Sequence, residues 1–131
     1  MVIDKRNCDS LQASDVYIHD DTLLDLVFDR LEKNLWLTLK KAGCDKIYKM
    51  NFINVIGFFS TSCDFWGNFE RVVDFECLSF KNSPLTKMFC KKWDDSPNGD
   101  LDFPYNDYIE SVFTFASLDE LRIVSEKIIL E

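Results

Sequence analysis

The stretch TLLDLVFDRLEKNLWLTLK, from Thr22 to Lys40, decides the fold because its hydrophobic residues recur at every second position on both sides of a polar centre. In the two flanking segments, the residues that share one side are Leu24, Leu26, Phe28, Leu35, Leu37 and Leu39. Leu23 falls on the opposite side together with Asp25. A period of two is typical of half-buried strands. The polar residues 29–33 therefore predict a hairpin loop between two antiparallel strands.

A helix over the first part of this stretch is the alternative. Residues 20–33 also place hydrophobic side chains at helical spacing, namely Leu23, Leu24, Val27, Phe28 and Leu31. Spacing alone leaves both interpretations open, and we favour the two strands.

Further strands are predicted downstream. Residues 47–59 are rich in β-branched and aromatic side chains and are interrupted only by Gly57, which predicts one long central strand with a bend or bulge at the glycine. Residues 69–80 predict one or two strands, and residues 108–115 and 121–130 predict two more.

A short helix is predicted over residues 84–92, because Ser83 is a good N-cap and Pro84 suits the first helical position. The connections between the predicted strands are short and typical of hairpins. We therefore expect a mainly β (α+β) fold, with an antiparallel sheet or sandwich of about six to eight strands and one short helix near 84–92. Residues 1–131 should form a single globular domain.

Composition and charge narrow the functional classes. The chain is 47% hydrophobic and 29% charged, which excludes a disordered or low-complexity protein. It has no signal-peptide hydrophobic region and no apolar run of membrane-spanning length, so we expect a cytoplasmic protein without membrane contact. The net charge is −8, and residues 67–131 carry seven basic and thirteen acidic side chains. Such a field repels nucleic acid and attracts a basic partner.

Residues with catalytic or metal-binding chemistry are scattered. The five cysteines, at positions 8, 44, 63, 77 and 90, form no CxxC pair, and their odd number fits a disulfide framework poorly. The lone His19 precedes two aspartates but has no nucleophile motif beside it, so we interpret it as a polar residue that leads into the first strand. The sequence thus predicts no enzyme activity, no metal site and no cofactor.

The acidic segment 94–107 imitates part of a calcium loop, with Asp94, Ser96, Asn98 and Gly99 at matching positions. Its twelfth position holds Tyr105 in place of the bidentate glutamate, so we expect an acidic turn and no calcium site. Aromatic residues within charged surroundings are typical of protein interfaces. For Trp93, Tyr105 and Tyr108 the sequence leaves a core edge and an exposed anchor equally open. The predicted partner-binding residues are Trp93, Asp94, Asp95, Asp100, Asp102, Tyr105, Asp107 and Tyr108.

Several short motifs resemble a known group of proteins. They are Ile18-His19-Asp20, residues 34–39 (NLWLTL), residues 51–55 (NFINV), and residues 113–115 (FTF) followed by 121–124 (LRIV). Together they are similar to small all-β bacterial proteins of uncharacterised or toxin-immunity type. The resemblance implies a non-enzymatic role in which the protein binds and neutralises a cognate toxin.

The leading hypothesis is a protein-binding module for a basic partner. The alternative is a small enzyme or ligand-binding domain whose pocket assembles from distant residues, for example His19 beside a thiol and a carboxylate. The protein should be a monomer or a homodimer, and an exposed strand such as 121–130 could form the dimer contact.

Overall fold

A computed structural model describes residues 1–11, 15–61, 70–95 and 105–131. Within these ranges nine strands form one antiparallel sheet in the order β1-β9-β4-β3-β2-β6-β7-β8-β5. The strands are β1 Val2–Asp4, β2 Thr22–Asp29, β3 Asn34–Lys40, β4 Ile47–Ile53, β5 Gly57–Ser60, β6 Glu70–Ser79, β7 Ile109–Phe115, β8 Glu120–Ser125 and β9 Lys127–Leu130. One α-helix, α1, spans Pro84–Asp94. The predicted mainly β fold with one short helix is confirmed.

The β2–β3 hairpin forms where the alternation predicts it, and the helical alternative for residues 20–33 is wrong. The side assigned to Leu23 also needs correction. A β-bulge between Leu23 and Asp25 shifts the register, so Leu23 is 6% exposed and Leu24 is 40% exposed. A bulge adds one residue to the strand, and the residues on either side of it exchange faces.

Two of the predicted strands are each divided in two. Residues 47–59 form β4 and β5, and residues 121–130 lie in β8 and β9. The break between β4 and β5 lies at Asn54, whose φ is 53°, and not at Gly57. Pairing continues across the break, because Glu126 N donates to Ile53 O at 3.0 Å and Ile56 N donates to Val124 O at 3.0 Å. Strands β4–β5 and β8–β9 therefore make one bent ribbon.

The sheet folds over so that its two halves face each other. Half A consists of β1, β9, β4, β3 and β2, and half B consists of β6, β7, β8 and β5. Phe52 of β4 and Phe113 of β7 are four strands apart in the sheet, which would separate them by about 19 Å if it were flat. Their ring centroids are 6.2 Å apart. The halves thus enclose a common core, as the predicted sandwich requires.

The sequence pattern does not predict strand β1, although this strand contributes to the core. Its central residue Ile3 is fully buried and pairs with Ile128 of β9. A segment of three residues is too short to show the alternation of apolar and polar side chains from which a strand is predicted.

Helix α1 covers the outer face of half B. Leu85 and Phe89, one turn apart, pack with Tyr108 and Val124 in a small second core cluster. Gly57 begins β5 beneath the helix, and a Cβ there would collide with the Phe89 ring. Gly57 therefore permits close approach of helix and sheet. The outer face of half A lies away from this helix, since α1 contacts β7 and β8.

Strand 121–130 is not an exposed edge, so the dimer contact stays a prediction without an edge to pair through. Strand β8 lies between β7 and β5, and β9 lies between β1 and β4, so neither strand has a free edge. Among the described residues, the helix is too short to cross a lipid bilayer.

Candidate functional site

A buried glutamate fixes the first turn of α1. Glu110 of β7 is fully buried, and its Oε1 accepts hydrogen bonds from Ser83 Oγ at 2.7 Å and from Leu85 N at 2.9 Å. Ser83 Oγ in turn accepts from Thr86 N at 3.1 Å, as expected of an N-cap. A carboxylate at this position also interacts favourably with the positive end of the helix dipole. The start of α1 is therefore held firmly on half B.

Arg122 of β8 neutralises this buried carboxylate. Its Nη1 donates to Glu110 Oε2, and its Nη2 lies 2.8 Å from Glu120 Oε2. Burial alone disfavours the charged guanidinium, but the hydrogen bonds to Glu110 and Glu120 prevail and raise the pKa of Arg122. Because this cation has two acidic partners, Glu110 and Glu120 add less to the external negative field than their charges suggest.

The far end of α1 presents the acidic and aromatic side chains that the sequence predicts. Trp93 is 38% exposed, and Asp94 and Asp95 beside it are exposed. Cys90, one turn earlier, points its thiol at Asp94 Oδ2 over 3.7 Å. We name Trp93, Asp94 and Asp95 the α1 tip. These three predicted partner-binding residues lie together at the surface of the described part of the chain.

Of the remaining predicted partner-binding residues, Tyr105 lies beside Cys90 and Asp94 of α1. Tyr105 is half-buried, and its loss of solvation raises its pKa to about 12. Asp107 forms an ion pair with Lys5. Tyr108 is 8% exposed and packs against Leu85, so it is a core residue and not an exposed anchor. Asp100 and Asp102 lie outside the described residues, as does most of the segment that imitates a calcium loop.

His19 lies at the surface beside a carboxylate. Its side chain is 51% exposed, and its Nδ1 lies 3.1 Å from Asp20 Oδ2. The described residues form no group of three or more His, Cys, Asp or Glu side chains that could hold a metal ion.

Asp21, which no sequence motif marks as a site residue, organises a polar cluster whose Lys41 and Tyr48 line a surface cleft of about 230 Å³. Asp21 is fully buried and accepts hydrogen bonds from Tyr48 Oη and, at 2.8 Å, from Ala42 N. Lys41 Nζ lies 3.3 Å from its Oδ2 and also donates to Tyr17 O. Burial, followed by the interaction with Asp21, raises the pKa of Tyr48. Each of these groups has a partner, so the cluster ties the β3–β4 turn to the segment before β2.

Two thiols lie beside another cleft of about 280 Å³, which also includes Asp9 and Glu76 in its wall. Burial raises the pKa of Cys8 to about 11 and that of Cys77 to about 12. The Cys77 Sγ lies 3.6 Å from Ser111 Oγ. Because the thiolate is the nucleophile, both cysteines should be poorly reactive near neutral pH.

We expect alkylation to distinguish the buried Cys8 from the exposed Cys44. At pH 8, a thiol with a pKa of about 11 has a thiolate fraction about 200-fold below that of an ordinary thiol with a pKa of about 8.5. Iodoacetamide followed by peptide mass spectrometry should therefore modify the exposed Cys44 long before Cys8. The labelling rate of Cys8 should rise about tenfold per pH unit up to pH 10. Equal rates for Cys8 and Cys44 in the folded protein would contradict the placement of Cys8, and labelling in concentrated urea provides the control.

No family model and no curated protein matches the chain. One solved structure, "Crystal structure of an uncharacterized protein from Neisseria gonorrhoeae", is similar with a TM-score of 0.47 and 13% sequence identity. The match covers 100% of this chain and 97% of that chain.

Proposed function

We propose that the protein is a non-enzymatic binding module that holds a basic protein partner through the α1 tip. The observation that carries this proposal is the exposed Trp93 beside two exposed carboxylates, at the end of a helix whose other end is fixed to half B by Glu110. A rigid helix presents these groups without a large loss of conformational entropy on binding. An aromatic side chain supplies apolar contact area, and the carboxylates steer a cationic surface toward it.

The position of the carboxylates strengthens this interpretation. Asp94 ends α1 and Asp95 is its C-cap residue, so both lie at the negative end of the helix dipole. A negative charge there is unfavourable by about 0.3–1 kcal/mol. Lys91 and Lys92 in the last turn offset part of this cost. Cationic groups of a partner would offset the remaining unfavourable interaction with the helix dipole, and this favours the bound state.

Capture and kinetics test the proposal together. A photo-crosslinking residue at the exposed position 92 should capture the partner in cells that carry the natural gene. The same residue at position 45 should not, because the β3–β4 turn lies at the end of β4 away from β5 and the helix. With the captured partner purified, Asp94→Asn with Asp95→Asn should lower the association rate constant about 3–10-fold at low salt and flatten its salt dependence.

The matched control is Asp15→Asn with Asp45→Asn, which removes the same net charge from exposed positions at the β3–β4 turn. This pair should change the association rate less than twofold, because its charges lie away from the α1 tip. Equal effects of the two double variants would show that only the overall charge matters, and the binding site would be refuted.

The narrower proposal is toxin immunity, which rests on the resemblance of the sequence motifs. It predicts that a toxin encoded beside this gene is inhibited by the purified chain at a one-to-one ratio. The Asp94→Asn, Asp95→Asn variant should inhibit the same toxin about 3–10-fold more slowly at low salt, in line with its lower association rate constant. Equal rates of inhibition by the natural chain and by that variant would show that immunity does not depend on the α1 tip.

A further inference from the structure

Four lysines are concentrated on and beside α1, although the chain as a whole is acidic. Lys81 lies in the short 3-10 helix Phe80–Asn82 before α1, and Lys87, Lys91 and Lys92 belong to α1 itself. Residues 77–93 contain these four lysines and no acidic residue, whereas the whole chain has a net charge of −8. The outer surface of half B therefore carries a positive region within a negative field.

The lysines lie on the side of α1 that faces away from the sheet. Leu85 and Phe89 hold the opposite side of the helix against half B. Residues four positions apart project from the same side of a helix on successive turns. Lys81 adjoins the start of this side, because Lys87 Nζ donates to Lys81 O at 2.8 Å. We name the exposed residues Lys81, Lys87, Lys91 and Lys92 the lysine row.

Nothing within the described part of the chain neutralises the lysine row. None of its members forms an ion pair with a described carboxylate. The carboxylate of Glu110, at the start of α1, is already paired with Arg122. The helix dipole favours Lys91 and Lys92 in the last turn, but it disfavours cations near the beginning of the helix, where Lys87 lies. Local energetics therefore account for only part of the row.

We propose that the lysine row binds an acidic segment of the same protein partner whose basic surface contacts the α1 tip. This inference rests on the proposed function, and it adds that the charge of the partner changes sign along α1. From Lys87 to Asp95 the helix rises about 12 Å, so both groups of charges fit within one contact surface. Met88 is 44% exposed and Trp93 is 38% exposed, and both supply apolar area to that surface.

The surroundings of the row favour protein carboxylates over the phosphates of a nucleic acid or a membrane. A nucleic acid or an anionic lipid surface extends beyond four lysines and meets the negative field of the rest of the chain. The apolar side of α1 is buried against half B, so the helix cannot insert this side into lipid. A short acidic segment can contact the row alone, and Asp94 bounds it at the end of the helix.

Titration with charged peptides tests the inference without the natural partner. A blocked peptide of about eight glutamates, at about 20 mM salt, should shift the amide NMR signals of Lys87, Lys91 and Lys92 in a saturable way. A blocked peptide of about eight lysines should instead shift the signals of Asp94 and Asp95, which tests the α1 tip separately. Failure of the glutamate peptide alone would overturn the inference and leave the proposed function intact.

Matched variants separate the row from the overall charge. Lys87→Gln with Lys91→Gln should raise the dissociation constant of the glutamate peptide about 3–10-fold. Glutamine has nearly the helix propensity of lysine, so this variant should fold. Lys46→Gln with Lys49→Gln removes the same charge from exposed positions of half A and should change the constant less than about twofold. Equal effects of the two pairs would overturn the inference.

Phosphate-bearing probes provide the comparison with other anions. A single-stranded DNA of about twelve nucleotides and vesicles that contain phosphatidylserine should bind the row more weakly than the glutamate peptide, because the field of the chain repels extended anions. Tighter binding of either probe at the same amides would overturn the assignment to an acidic protein segment.

With the partner captured through position 92, the direction of one change is decisive. Lys87→Gln with Lys91→Gln should raise the dissociation constant of the complex about 3–10-fold, because acidic groups of the partner lose their counter-charges. A lower constant would place a basic surface opposite the row, and an unchanged one would place the row outside the contact. Either result would overturn the inference, whereas the proposed function is judged separately by Asp94→Asn with Asp95→Asn.

Discussion

Replacing Glu110 with alanine should lower the free energy of unfolding by about 3–5 kcal/mol, because it leaves buried groups without their partner. Leu85 N loses its acceptor, and Ser83 Oγ retains only Thr86 Oγ1 as an acceptor. Arg122, whose side chain is 27% exposed, loses one of its two carboxylates. Since these bonds hold the start of α1, the helix should detach from half B before the sheet unfolds. Urea unfolding followed by circular dichroism measures the first effect, and hydrogen exchange of the α1 amides measures the second.

Glu120→Ala is the matched control, because it removes the other acidic partner of the same arginine. The Glu120 side chain is 35% exposed, so solvent screens its ion pair and the loss should stay below about 1 kcal/mol. Equal losses in the two variants would mean that Glu110 acts only as a counter-ion and does not anchor the helix.

Replacing Asp21 with alanine should cost about 3 kcal/mol of stability. The substitution removes the acceptor of the half-buried Tyr48 Oη and of Ala42 N, and it removes the carboxylate partner of Lys41. The β3–β4 turn should loosen, so the amide of Ala42 should exchange with solvent much faster than in the natural chain. Thermal unfolding together with hydrogen exchange measures both consequences.

Asp45→Ala provides the comparison within the same turn. Asp45 is fully exposed and contacts Lys40 at 3.4 Å. Its removal should change the melting temperature by no more than about 2 °C. If Asp45→Ala destabilises the protein as strongly as Asp21→Ala, the buried hydrogen bonds of Asp21 are not the reason for the loss.

The hairpin and the helix could be predicted because their signals are local. Alternation over residues 34–40 and a serine followed by proline at residues 83–84 each specify one element without reference to the rest of the chain. The bulge after Leu23 and the bend at Asn54 leave no comparable pattern. Asparagine tolerates a positive φ, but it does so at many positions that do not bend a strand.

The buried carboxylates of Glu110 and Asp21 also have no local sequence pattern from which their roles could be predicted. Glu110 occupies an alternating strand in which an acidic residue ordinarily faces water, and its partners are 12 to 27 residues away along the chain. In the sequence, Asp21 stands out only as a neighbour of His19. Its partners Lys41 and Tyr48 are distant along the chain and reach it only in the folded structure. The α1 tip, by contrast, is contiguous in sequence, so Trp93, Asp94 and Asp95 could be selected together.

The bent ribbon affects how fast the chain folds. Its strands β4–β5 and β8–β9 pair residues about 60 to 80 positions apart, and the same ribbon passes through both halves. Contacts between such distant segments form slowly, because a long loop must close before they contribute energy. We expect refolding on a millisecond-to-second timescale, with intrinsic fluorescence and amide protection in both halves recovering in a single common phase.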